Sequence, residues 1–133
     1  MSFIQTIYSS LQRAPEMPLL VEVRARELVP TTAAATLDAA ARVRGFLASA
    51  GVKPGDRVAL LAPNSARWVA ADLAILGAGA ICVPLYTRQD PKELAGMLRD
   101  CAPTLLLVSD VALEATVRAA WPEAQPTAQP TAQ

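Results

Sequence analysis

With 133 residues the chain is long enough to bury one substantial core, and its 53% apolar and 18% charged residues exclude a chain disordered throughout. Twelve basic residues balance twelve acidic ones without clustering, which excludes the basic stripe that nucleic acid demands. The chain has no histidine, which removes the side chain most used for proton transfer near neutral pH and for zinc, and neither a metal site nor a transmembrane segment is predicted.

Ser2 and Gln5 stand as N-cap and N3 of a capping box, and Ile4, Ile7, Tyr8 and Leu11 then share one helical face that ends before Pro15. Val21, Val23 and Ala25 alternate with Glu22, Arg24 and Arg26, which predicts a strand or hairpin with one wet face, antiparallel or at a sheet edge. Thr32 caps a long helix whose inward stripe is Thr36, Ala40, Val43, Leu47 and Ala50, with Asp38 and Arg42 paired outside and Gly51 as its stop. Lys53-Pro54-Gly55-Asp56 fits a type II turn, and the apolar run from Val58 to Ala62 fits a strand buried on both faces.

Pro63-Asn64-Ser65 breaks that strand and caps a helix carrying Val69, Leu73 and Leu76, flanked by Trp68 and Ile75 and closed by Gly77-Ala78-Gly79. Ala80 to Val83 forms the next strand, and Pro84 places its end near Leu85-Tyr86. Asp90-Pro91-Lys92-Glu93 starts a helix with Leu94, Met97, Leu98 and Cys101 on its buried face. Thr104 to Val108 is a third apolar strand, and Asp110 caps a last helix that Pro122 stops. The alternation predicts an α/β domain over residues 1–121, a mostly parallel open sheet with helices on both faces. From Pro122 the repeat Gln125-Pro126-Thr127-Ala128, Gln129-Pro130-Thr131-Ala132 has no hydrophobic period, so residues 122–133 read as a flexible low-complexity tail. Cys82 and Cys101 match no metal or redox spacing and read as reduced, small buried hydrophobes. With no secretory leader at the N-terminus, they suggest a cytoplasmic setting.

The stretch Gly51 to Ser65 resembles the early block of AMP-forming acyl-CoA synthetases and related adenylate-forming ligases. The match continues in order through Trp68, Gly77-Ala78-Gly79-Ala80, Val83-Pro84-Leu85-Tyr86, Glu93-Leu94-Ala95 and Asp100, with the long-chain fatty acyl-CoA synthetases as the most similar group. Each motif alone is ordinary turn and core chemistry; five in register make the resemblance specific. It implies the N-terminal portion of an enzyme that joins a carboxylic acid to AMP from ATP with magnesium and passes the acyl group to coenzyme A. The family's phosphate loop, nucleotide-binding segments and adenylation lysine have no counterpart here, since Lys53 and Lys92 sit in a turn and a helix start. No catalytic residue is therefore carried over, and no cofactor is expected to bind this chain alone.

Gly77-Ala78-Gly79 follows a helix and precedes a strand, the reverse of the order that aims amides at a pyrophosphate, so it reads as a helix stop. Asn64-Ser65, where a strand feeds a helix, offers either an anion site or simple capping, with capping favoured. Tyr86, Thr87 and Arg88 lie past the carboxyl end of a strand, where open α/β sheets bind ligands. By the resemblance this loop faces substrate or coenzyme A, Tyr86 as an aromatic wall and Arg88 as a charge for phosphate, against the plainer reading of a solvated loop. Trp68 and Trp121 read as packing residues. Two functional classes follow: a ligase section working with a complementary ligase fragment or by self-association, and a non-catalytic binding or assembly module that retains the fold. A receiver-like or flavodoxin-like domain would show the same alternation, but Pro63-Asn64-Ser65 stands where its strand-end carboxylates belong.

Overall fold

An apolar run with no polar face has to be covered on both sides, and the second half of the chain contains three such runs. In the computed structural model, which describes residues 2–121, they form a parallel sheet of β3 (Arg57–Leu61), β4 (Ile81–Leu85) and β5 (Leu105–Val108) in the order β4-β3-β5. The low-complexity segment 122–133 lies outside the described residues. Central strand β3 is sealed: Val58, Ala59 and Leu61 are 0% exposed and Leu60 3%.

The covering helices divide between the two faces. Helices α1 (Phe3–Arg13), α2 (Ala33–Ser49) and α3 (Ala66–Gly77) pack on the side of Val58, Leu60, Leu105 and Leu107. Helices α4 (Pro91–Cys101) and α5 (Val111–Ala120) cover Ala59, Leu61, Leu106 and Val108. This division follows from chain order: α3 leads from β3 to β4 and α4 leads back past β3 to β5, so crossovers of one hand must use opposite faces.

The local signals act where the sequence puts them. Ser2 and Gln5 form a reciprocal capping box, Thr32 accepts from Ala35 N–H at 3.1 Å, and Gly51 and Gly55 take the positive φ that a helix stop and a type II turn require. Four details differ. Asp38 and Arg42 make no ion pair, and Ala50 is an exposed C-cap. Met97 is 43% exposed, its expected place being taken by Ala95 beside Leu94 and Leu98. Strand β4, by contrast, runs through Pro84 and ends at Leu85 as expected, because β4 is an edge strand, where a missing N–H costs no ladder bond. The cysteines are only half-buried.

A hairpin stands apart from the sheet: β1 (Pro18–Arg24) pairs antiparallel with β2 (Glu27–Thr32) around Ala25-Arg26, both at positive φ, the mark of a type I′ turn. Ala25 therefore belongs to the turn and not to the strand. The side that faces solvent carries Val21 and Val23, while half-buried Leu20 and Val29 turn inward.

Helix α1 is fastened to α3 by one polar contact. The Tyr8 hydroxyl donates to the Leu73 carbonyl at 3.0 Å, and a Cβ added at Gly77 would meet that same oxygen at 2.8 Å. Gly77→Ala is expected to destabilise the fold by about 1–2 kcal/mol despite alanine's better helix propensity, because the ring must move and its hydrogen bond is lost. In a Tyr8→Phe background the same substitution should cost less, as urea denaturation of the four chains would show; additive costs would contradict the contact.

Candidate functional site

Parallel strands deliver their carboxyl ends, and the loops that follow, to one edge of the sheet. From that edge β3 turns to α3 on one face and adjacent β4 turns to α4 on the other, so the two loops diverge and leave a crevice, the position where open α/β sheets bind ligands. An open cleft of about 510 Å³ occupies it. Ala62, Pro63, Asn64 and Trp68 line one side, and Pro84, Leu85, Tyr86, Thr87 and Arg88 the other.

All three residues proposed from the sequence lie at this cleft. A turn closed by Gln89 N–H donating to the Tyr86 carbonyl at 3.1 Å puts Thr87 and Arg88 at its apex. Its far side is held to α4, where the Gln89 side chain bonds Glu93 and Asp90 accepts from Lys92 N–H at 2.9 Å. Tyr86 is 61% exposed and presents its ring to the opening. The ion pairs among the described residues are Glu22–Arg24 and Glu114–Arg118, which leaves the Arg88 guanidinium uncommitted.

The facing wall resolves the two roles open to Asn64-Ser65. Ser65 is spent as the N-cap of α3, accepting from Trp68 N–H at 3.1 Å, whereas Asn64 stays exposed on the cleft. Trp68 both packs against the core and lines the cleft, a double role that sequence reasoning missed. The signal was available in strand order: once β4 lies beside β3, the loop after β3 must face the loop after β4. Trp121 packs beneath α4 and α5 with the Arg99 guanidinium 5.6 Å from its ring centre, away from the cleft.

No other chemistry gathers here. Among the described residues no three His, Cys, Asp or Glu side chains converge on a metal-sized site. Gly77-Ala78-Gly79 lies at the opposite edge, where the Gly79 carbonyl accepts from Gly55 N–H at 2.8 Å. Burial, with the Asp72 carboxylate beside it, pushes the Cys82 thiol up to about 12, and burial raises Cys101 as well. No described helix is long and apolar enough to cross a membrane.

The sequence profile of the family described as AMP-binding enzyme matches residues 8–132. The chain is 44% identical over 71 residues to 3-[(3aS,4S,7aS)-7a-methyl-1,5-dioxo-octahydro-1H-inden-4-yl]propanoyl:CoA ligase of Rhodococcus jostii (strain RHA1), covering 51% of this chain and 14% of that ligase. It is 42% identical over 67 residues to the feruloyl-CoA synthase of an Amycolatopsis species, covering 50% of this chain and 14% of the synthase. Among solved structures, the Mycobacterium tuberculosis fatty acyl CoA synthetase superposes with a TM-score of 0.72 at 27% identity, over 87% of this chain and 23% of that one. A benzoate CoA ligase from Burkholderia xenovorans LB400 shares the fold with a TM-score of 0.78 at 21% identity, over 93% of this chain and 24% of that one. The matched segment of the chain thus spans about one seventh of the length of these two curated relatives.

Two outcomes follow from the environment of the cleft and its neighbours. Ser65→Ala should cost about 1 kcal/mol of stability through the lost cap of α3, read as a lower urea midpoint with an unchanged slope. For Cys82, the unfolded thiol ionises near its ordinary value of 9.0 while the folded one stays protonated up to about 12. Stability is therefore fully present below pH 9 and falls as pH rises from there towards 12. Cys82→Ala should flatten that decline in a pH series of urea midpoints; an unchanged slope would contradict the burial of the thiol.

Proposed function

The chain belongs to the AMP-binding enzyme family, and from that premise we propose that it is the N-terminal portion of an ATP-dependent acyl-CoA synthetase, which activates a fatty acid through an acyl-adenylate. In this reading it supplies a wall of the active site and not the nucleotide site. The observation that carries the proposal is the cleft between the diverging β3 and β4 loops, at the ligand-binding edge of the sheet, within the section that the family match covers. The named acids of the similar enzymes range from feruloyl to benzoate to fatty acyl. The fatty acid assignment rests on the motif order from Gly51 to Asp100, which resembles the long-chain group.

The residues present do not fit ATP with magnesium. The glycines with positive φ lie at the wrong sheet edge or in helix stops, Ser65 is committed to its helix, and among the described residues no carboxylate group converges at the cleft. Adenylation needs donors and metal at the α-phosphate, where charge develops. What the cleft does offer is an aromatic wall, Tyr86, and one free cation, Arg88, which suit the approach of an anionic acceptor such as coenzyme A.

The purified chain should show no ATP–pyrophosphate exchange with fatty acids. Adding the Amycolatopsis feruloyl-CoA synthase cut to begin after its matched 67-residue segment should restore exchange, with ferulate as the acid. Arg88→Ala should then raise the KM for coenzyme A about tenfold or more, the worth of one charge-assisted hydrogen bond, and leave exchange within about twofold. Exchange by the chain alone, or equal loss in both half-reactions, would overturn the assignment. Saturable acyl or coenzyme A binding without any restored exchange would favour the non-catalytic binding module.

A further inference from the structure

The turn at Ala25-Arg26 fixes which backbone groups of the hairpin are spent and which are free. In an antiparallel ladder, pairs that exchange both N–H···O bonds alternate with pairs that exchange none, and the pair closing a two-residue turn is of the first kind. Arg24↔Glu27 closes this turn, so Val23↔Leu28 and Val21↔Pro30 are of the second kind. The N–H and C=O groups of Val21 and Val23 therefore point away from β2 along the outer edge of β1, and no backbone group among the described residues outside the hairpin pairs with them. The outer edge of β2 is different, because Pro30 has no N–H to present there and proline is a recurrent means of blunting an edge.

Two more observations fall on the same edge. Val21, Val23 and Leu28 are 56%, 74% and 71% exposed and share one face of the hairpin. A groove of about 400 Å³ runs along β1 from Leu20 to Arg24, with the start of α3 as its other wall. Unpaired donors and acceptors, a flanking apolar strip and a trough beside them suit an extended strand.

We propose that β1 accepts an added β-strand along this edge, supplied by the ligase polypeptide that its relatives carry beyond the matched section; this rests on the functional assignment above. A second copy of the chain is the weaker occupant. The exposed apolar strip comprises a few side chains, whereas a stable interface engages roughly 20–30 residues a side. A strand from the remainder of a ligase is held by the rest of that assembly, and in the solved relatives about three quarters of the chain lies outside the section that superposes.

Amide hydrogen exchange followed by NMR tests this directly, with the shortened Amycolatopsis synthase as the probe. In the chain alone, the Val21 and Val23 amides should exchange fast while Leu20 and Glu22, bonded to Thr31 and Val29, exchange slowly. On addition of the probe, Val21 and Val23 should slow by about tenfold or more. The Val21→Lys/Val23→Lys double variant should weaken probe binding, with slow exchange at Glu22 reporting that its hairpin is intact. Unchanged valine amides in a complex, or no complex, would overturn the proposal, as would valine protection in a self-associated dimer without probe. Restored pyrophosphate exchange without valine protection sinks this inference and leaves the ligase assignment standing; protection without exchange does the reverse.

Discussion

Burial of β3 on both faces is the constraint on which the rest of the structure depends. A strand of Val58, Ala59, Leu60 and Leu61 with essentially no exposure needs a helix layer on each side, and each such side chain contributes roughly 1.5–3 kcal/mol by leaving water, alanine less. Chain order then assigns the layers: α3 goes to one face and α4 to the other. The divergence that covers the strand also opens the cleft at its carboxyl end. Packing and site share one cause.

The two edges of the sheet are unlike in a way that suits that arrangement. At the amino edge the backbone is tied across elements: Gly55 N–H donates to Gly79, Ile81 N–H to Asp56 and Thr104 N–H to Arg57, all at 2.8 Å. Gly79 at φ +75° lies so near Pro54 that an added Cβ would sit 3.2 Å from the proline Cβ, so a side chain there would be both strained and crowded. At the carboxyl edge the loops are held chiefly from their helices, through Ser65 on α3 and Asp90 on α4, and they leave Tyr86, Arg88 and Asn64 open to a ligand.

Much of this was legible in the sequence because the signals were local or periodic. Apolar runs without alternation gave the parallel strands, and Ser2, Thr32, Ser65, Asp90 and Asp110 cap the helices they precede. The place of Tyr86, Thr87 and Arg88 at a strand's carboxyl end was legible for the same reason. The partnership of Trp68 and Asn64 with that loop was not, since it depends on β4 lying beside β3, which no local pattern encodes. Val21 and Val23 misled in another way: alternation marks two faces of a strand without saying which is covered, and here the face bearing Leu20 is the inner one. The expected Asp38–Arg42 pair is absent although Glu114 and Arg118 pair at the same spacing; an exposed i,i+4 pair gains only a few tenths of a kcal/mol, so the spacing alone does not decide whether one forms.

In the proposed division of labour this chain supplies a wall of an acyl-activating site, and the nucleotide chemistry lies outside the residues described. Calorimetric titration of the purified chain with ATP and magnesium tests that division most directly. No saturable heat is expected up to millimolar nucleotide. A saturable isotherm in the micromolar range, lost on substitution of Asn64 or Arg88, would contradict it by placing a nucleotide site in the cleft itself.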